Sequence, residues 1–596
     1  MIIRKYTSIF VFLALAIFGA LITRHYGESW DELKFYKYAD SAISAYTTWP
    51  HAGAVPIFGN TYDNYGPAYV MLVTLAARPF EIIFTTSDAR HFVYFITFLA
   101  GMWAFYELSK RFLTQPAALF VTLLFGTQPL LWGHAFISPK DIPFLSFFLL
   151  SLLFGLRLFD TLKPFQPNDP SPLSRRILLA LSTLWLATVI GLFLTTDAFL
   201  ALLTRLVQSA RAGETNIISL IASDINKVEP QVYIQRYFVF FLQIRSFIFL
   251  LASFLLLFFT YRLHRAKRSF ILLTSILPPA ILLGLTTSIR VIGPFAALFI
   301  TYYALRTKGK QALLPLAIYA IVALITMYLT WPYLWLDPIG HFSESLRVMS
   351  QYPWRGQVLF NGAEYPSTGL PYSYLPVLLG IQLTEPVWAL FVLGSVVAGL
   401  SSGEKRGLIA LMVSWFIIPL VGFIVTRSPL YDNFRQVFFI LPPVFMMAGV
   451  VMEKIKRPVL QVVLMVLLIM PGIIDSARLH PYEYIYYNRF AGGVSGVLRK
   501  YELDYWGTSY REAADWLNTH APDGAFVWVD GPAHLLGMYL RTDLQLYSSY
   551  EVEHAEHYDY VVSTSRYNLD LISYPKAKII HAIERDGAVL TVIRQP

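Results

Sequence analysis

The chain has no cysteine among its 596 residues, which excludes disulfides, thiolate nucleophiles and cysteine-based zinc or iron-sulfur sites together. Charge is scarce as well: 14% of residues are Asp, Glu, Lys or Arg, against 56% hydrophobic. With a mean hydropathy of +0.52, the chain carries more apolar surface than a soluble fold of this length could bury. The alternating segments of a membrane barrel are missing, and so is any internal repeat. What the sequence does contain is a series of apolar runs of about 17–25 residues, the length a helix needs to cross a hydrocarbon core. Its 37 Tyr, 45 Phe and 13 Trp gather toward the ends of these runs, where amphipathic rings favour the membrane interface. The expected class is an α-helical polytopic membrane protein.

Loop charges orient it. The first apolar helix, about Tyr6 to Thr23, follows Arg4 and Lys5. It shares these features with a signal peptide, but no small-x-small cleavage site follows, so a retained anchor is expected. Further helices fall at intervals to about residue 474, among them 117–132, 376–399 and 436–452. The run 68–85 is ambiguous, because it contains Arg78, Pro79 and Glu81. If it does not span, thirteen helices remain. The short connections rich in Lys and Arg, such as Lys110/Arg111, Arg306/Lys308/Lys310 and Lys454/Lys456/Arg457, then share the cytoplasmic side. A spanning 68–85 run would move most of them outside, so an interfacial or re-entrant segment is expected. The net charge of +9 is thus a topology signal, and no nucleic-acid partner is expected.

This topology gathers the informative polar segments on the outer side. They are the 24–90 loop with Trp30-Asp31-Glu32, the Gly133–Asp141 turn, the aromatic-rich 330–375 loop, and Arg427–Gln436. Residues 475–596 follow as a soluble α/β domain on the same side. Tyr510–His520 has helical spacing, Ala525–Val529 and Tyr558–Ser563 are β-type runs, and Asp586-Gly587 is a hairpin signal.

Asp31 and Glu32 are the first candidates for chemistry, since a carboxylate at an apolar boundary is suited to general-base work. A solvated helix end is the plainer alternative. Asp141, after Pro139-Lys140, is the second acid, and it also fits the ordinary start of a helix. Arg435 stands where a guanidinium can hold a lipid phosphate, or simply snorkel. Lys140 adds to the same field, and Arg245 and Arg290 are outer-leaflet arginines for which a partner or an anionic ligand is the default expectation. Trp331, Trp335, Trp354 and Tyr372 suit sugar rings and membrane interfaces equally. His25, His51 and His134 show no metal-ligand spacing.

An acidic pair after the first helix, Tyr65-Gly66-Pro67-Ala68-Tyr69, a Pro-Lys-Asp in the next outer turn, and Arg435 before a Pro-Pro helix together resemble the GT-C membrane glycosyltransferases. The likeness is to the protein O-mannosyltransferase and aminoarabinose transferase group, and it covers residues 1–474. It implies a GT-C fold and an extracytoplasmic active site. It also implies a polyprenyl-phosphate-linked sugar donor and a hydroxyl acceptor on protein, lipid or glycan. Asp31 would be the catalytic carboxylate with Glu32 beside it, Asp141 the second acidic position, and Arg435, with Lys140 or Arg290, the lipid-phosphate ligand. The need for a divalent metal ion is left open. Many relatives carry His-Pro-Pro or Glu-Lys-Pro where this chain has Tyr65-Gly66-Pro67, so no metal or phosphate role carries over to that triplet. Two readings of other classes compete: a lipid or glycan transporter, and a sensor whose working part is the C-terminal domain.

Overall fold

The computed structural model describes residues 2–52, 61–162, 172–222, 226–263, 267–352, 354–400, 404–548 and 558–596. It is mostly helical and ends in a small α/β domain, the class expected from the sequence. Among the described residues, six helical stretches are long and apolar enough to cross a membrane. They are Thr7–His25, Thr86–Ser109, Asp141–Thr161, Pro230–Phe259, Pro294–Thr330 and Pro458–Leu479. Three further helix pairs qualify together but are bent, by 66°, 47° and 106°. The protein is a multi-pass membrane protein.

Two helices that periodicity alone reads as continuous are broken. In the 117–132 run, Gln115–Gly126 and Pro129–Ile137 meet at 66°. The cause is Pro129, which drives the preceding Gln128 out of helical geometry, to φ −65 and ψ 121. In the 376–399 run, Tyr374–Ile381 and Pro386–Gly399 meet at 106°. The two breaks satisfy one another: the Gln128 amide donates to Leu124 O and Thr384 Oγ1, and its Oε1 accepts the Thr384 N–H at 3.0 Å. Because Gly133–Ile137 is helical, the expected Gly133–Asp141 turn shrinks to Ser138–Lys140. The third run, 436–452, opens as a 3-10 segment, Arg435–Ile440, before the helix Pro442–Glu453.

The 24–90 segment is more ordered than a loop. It holds the helix Glu32–Ala52, a 3-10 turn Thr61–Asn64, the helix Ala68–Ala77 and a 3-10 turn Arg78–Ile82. Ten residues of helix rise only about 15 Å, so Ala68–Ala77 is too short to span alone.

The chain divides into two compact units, one of Met1–Tyr36, Leu72–Leu153 and Ser350–Pro596, the other of Lys37–Met71 and Phe154–Met349. In the second, the Trp331 indole donates to Asp63 O at 3.0 Å and Ser345 Oγ to Asn64 Oδ1 at 3.1 Å. Arg245, fully buried there, donates to Thr196 Oγ1, Trp335 O and Leu336 O. Neutral oxygens therefore meet it where an anionic ligand was one expectation. The Tyr65-Gly66-Pro67 triplet also lies in this unit. Tyr65 O accepts the Tyr38 hydroxyl at 2.6 Å, and a Cβ at Gly66 would stand 1.8 Å from the Ser288 carbonyl oxygen. Backbone-to-backbone contact this close leaves no flexible side chain to yield. Gly66→Ala is expected to cost about 1–3 kcal/mol, read as a lowered unfolding temperature of the detergent-solubilised protein.

The first unit carries the sheets. β1 (Gln357–Phe360) and β2 (Ala363–Pro366) form an antiparallel hairpin. In the C-terminal domain β3 (Phe526–Asp530), β4 (Gln545–Ser548), β5 (Tyr560–Thr564), β6 (Lys578–Arg585) and β7 (Ala588–Gln595) form one sheet in the order β4-β3-β5-β7-β6. The pairs β3–β4 and β3–β5 are parallel, and β5–β7 and β6–β7 antiparallel. Asp586 and Gly587, at φ 45 and 78, make the expected two-residue turn between β6 and β7, which needs positive φ at both positions.

Candidate active site

Asp31 stands at the start of the helix Glu32–Ala52, its backbone carbonyl accepting the N–H groups of Lys34 and Phe35. The turn before it is locked by Glu32. One carboxylate oxygen of Glu32 accepts the Ser29 N–H at 2.6 Å, and the other is 3.2 Å from the Tyr36 hydroxyl and 3.1 Å from His91 Nε2. Ser29 Oγ donates in turn to Ile137 O. Glu32 is fully buried in these contacts, while burial and the Glu32 charge push the nearby Glu28 carboxyl up to about 7.

The second acid starts a helix too. Ser138 Oγ accepts the Asp141 N–H at 3.1 Å, which caps Asp141–Thr161 and fixes Lys140 and Asp141 in consecutive positions. Lys140 Nζ lies 3.5 Å from Asp31 Oδ2, and Asp141 Oδ2 accepts from Arg435 Nη1 at 2.8 Å. Arg435 turns its other nitrogen, Nη2, to Asp432 Oδ2 at 2.9 Å. Asp432 Oδ1 is met by Arg566 Nη2 at 2.7 Å, and that nitrogen is 3.8 Å from Glu502 Oε1. Acids and bases thus alternate through a buried network. Alternation is what makes it tolerable, since each removed hydration shell is replaced by an opposite charge.

The backbone aims Asp432. It and Asn433 are left-handed, at φ 53 and φ 62, a conformation that Asp and Asn tolerate better than other non-glycine residues. Arg435 lies under aromatic faces, 4.5 Å from the Trp506 ring centroid and 5.1 Å from that of Tyr431. Trp354 stacks on Tyr431 at 4.7 Å and 11°.

One acid in the network differs from the rest. Side-chain exposure is 21% for Asp31, against 0% for Asp141, 7% for Asp432 and 4% for Glu502. Burial acts to raise the Asp31 pKa, but the charges of Lys140 and Arg435 outweigh it and hold the carboxyl below its ordinary value. Burial dominates at Glu502 and pushes it up to about 8 despite Arg566.

The sequence-derived residues are therefore brought together in part. Asp31, Lys140, Asp141 and Arg435 share one network, Glu32 faces away into its own buried contacts, and Arg290 belongs to the second unit. Asp432, Glu502 and Arg566 were not anticipated. Asp432 had a weak signal, three residues before an arginine already singled out. Arg566 had none, because its partner is 134 residues away.

The C-terminal domain is built into this site. Trp30 N–H donates to Trp506 O at 3.0 Å, Glu28 N–H to the Tyr539 hydroxyl at 3.0 Å, and Arg511 Nη1 to Tyr26 O at 2.7 Å. Arg511 also pairs with Asp88 at 3.0 Å. Deleting residues 480–596 would remove these ties together with Arg566. Loss of function on such a deletion accordingly does not single out a sensor. Among the described residues no group of three or more His, Asp or Glu is placed to hold a metal ion, and Asp31 and Asp141 already face Lys140 and Arg435.

No family model matches the chain, and no curated protein matches it. Solved structures do. The apo oligosaccharyltransferase of Archaeoglobus fulgidus is similar over 94% of this chain and 70% of its own, at 13% identity and a TM-score of 0.37. The archaeal oligosaccharyltransferase AglB from Archaeoglobus fulgidus, in complex with an inhibitory peptide and a dolichol-phosphate, gives 14% identity and a TM-score of 0.36 over the same shares. ArnT from Cupriavidus metallidurans bound to undecaprenyl phosphate is similar over 99% of this chain and 98% of its own, at 14% identity and a TM-score of 0.27.

Proposed function

We propose that this chain is an inverting membrane glycosyltransferase of the GT-C type, moving a sugar from a polyprenyl-phosphate-linked donor to a hydroxyl acceptor on the extracytoplasmic side. Residues 1–474 form its catalytic body and residues 475–596 its outer domain. The observation that carries the reading is the asymmetry of the buried network: of its four carboxylates, Asp31 keeps the largest exposed face, and it lies beside a lysine.

In this mechanism the acceptor hydroxyl attacks the anomeric carbon from the face opposite the lipid phosphate. The new C–O bond forms as the bond to the phosphate oxygen breaks, the electron pair leaves with the phosphate, and the configuration inverts. Asp31 takes the hydroxyl proton. A carboxylate held at low pKa is a weak base, which suffices when the proton departs late and the leaving group is already stable. Lys140, the cation nearest Asp31, neutralises the departing phosphate. Arg435, clamped between Asp141 and Asp432, adds positive potential and fixes the two loops. Glu32 holds the turn that presents Asp31 rather than reacting.

Purified protein incubated with a panel of polyprenyl-phosphate sugars and hydroxyl acceptors is expected to release lipid phosphate from at least one donor. Absence of turnover with every donor, together with movement of intact lipid-linked sugar across vesicles, would establish the transporter instead.

A further inference from the structure

A shallow cleft, open to solvent, lies between the β1–β2 hairpin and residues 498–499, 501–503 and 565–568 of the C-terminal domain, all within one unit. Neither Asp31 nor Lys140 lines it. Its chemistry is polar but balanced. Arg499 already pairs with Asp570 at 2.6 Å, and Arg566 with Asp432 at 2.7 Å. Both of its arginines are thus committed, so a phosphate or carboxylate ligand would have to break an ion pair to bind. A neutral ligand rich in hydroxyl groups would not: Gln357, Asn568 and Ser565 offer donors and acceptors, and Tyr501 and Tyr567 offer ring faces.

The rim is strained in a particular way. Tyr567 and Asn568 are both left-handed, at φ 56, ψ 21 and φ 56, ψ 26. For an aromatic residue this conformation is unfavourable and persists only where the surroundings impose it. They do so here: Arg499 Nη1 donates to Asn568 Oδ1 at 2.6 Å, and Arg566 Nη1 to Tyr505 O at 2.5 Å. Tyr567 is 39% exposed and lines the cleft, its ring centroid 5.0 Å from the Arg566 guanidinium carbon. The same guanidinium carbon is 5.4 Å from the ring centroid of Trp30, the residue before Asp31.

We propose that this cleft is a carbohydrate-binding site in which Tyr567 stacks on a neutral sugar ring, and that it holds the acceptor as a glycan. The second half rests on the transferase reading; the first does not. Full-length protein in detergent is titrated with cellotetraose, chitotetraose and mannotetraose, and with inorganic phosphate, by ligand-observed NMR. At least one tetrasaccharide is expected to bind, about tenfold more weakly in Tyr567→Ala and within twofold of wild type in Tyr567→Phe, with both variants showing a wild-type unfolding transition. Binding by none of the tetrasaccharides, indifference to Tyr567→Ala, or phosphate binding lost in Arg499→Gln would each overturn the assignment. Sugar binding that depends on Tyr567 in a protein shown to transfer nothing would keep the glycan site while removing the acceptor role.

Discussion

Asp31→Asn is expected to lower sugar transfer by about 10²–10⁴-fold, the usual contribution of a positioned proton acceptor, while the protein still folds and inserts. The amide matches the carboxylate in shape, so Lys140 and the helix start keep their positions, but it cannot take the hydroxyl proton. Asp40→Asn, an exposed carboxylate on the same helix, should leave turnover within about twofold, as surface changes usually do. Equal losses in both variants would remove any special role for Asp31. The pH dependence gives a second reading of the same residue. Activity requires the ionised form, and Asp31 is held below its ordinary value of 3.8 because Lys140 and Arg435 outweigh the effect of burial. The acid limb of kcat/KM should therefore lie below about pH 4, with activity falling as pH drops through that range. Lys140→Met removes the nearest cation and leaves burial less opposed, so the limb should move to higher pH. A limb that stays in place would mean that another group titrates.

The second large effect concerns stability. Arg435→Met leaves Asp141 buried without its cation and Asp432 with Arg566 alone. Removing one partner of a buried ion pair typically costs about 3–5 kcal/mol, because the remaining charge stays dehydrated. A large fall in unfolding temperature in detergent is expected. Arg435→Lys should recover only part of it, since an ammonium cannot reach Asp141 and Asp432 as a guanidinium fork does. The double variant Arg435→Met/Asp141→Leu should be more stable than Arg435→Met, because the stranded carboxylate is gone. A single variant that melts with wild type would show that the network is not a joint of this fold.

Much of this protein is legible before any coordinates. Apolar run length and the scarcity of charge mark a multi-pass membrane protein, because an uncharged run of sufficient length has few other stable environments. Alternation in the last hundred residues and the Asp586-Gly587 pair likewise read out a sheet and its hairpin, both local properties. The breaks at Gln128 and at Gln382–Thr384 were less visible, since periodicity does not register a bend. There the proline positions were the available signal.

The sequence by itself determined the helical membrane body, the small α/β end domain, and the short set of polar residues from which Asp31, Lys140, Asp141 and Arg435 came. Only the tertiary structure decided their roles. Glu32, adjacent to Asp31, turns inward because a helix start sends consecutive side chains in different directions, while Asp31 keeps a face to solvent. Arg435 became a clamp because Asp141, 294 residues away, and Asp432, beside it in the chain, both reach its guanidinium. Arg566 entered from a separate region of sequence to complete the network. Ion pairing acts through space over a few ångströms, and no local pattern records which distant charges folding will bring into that range.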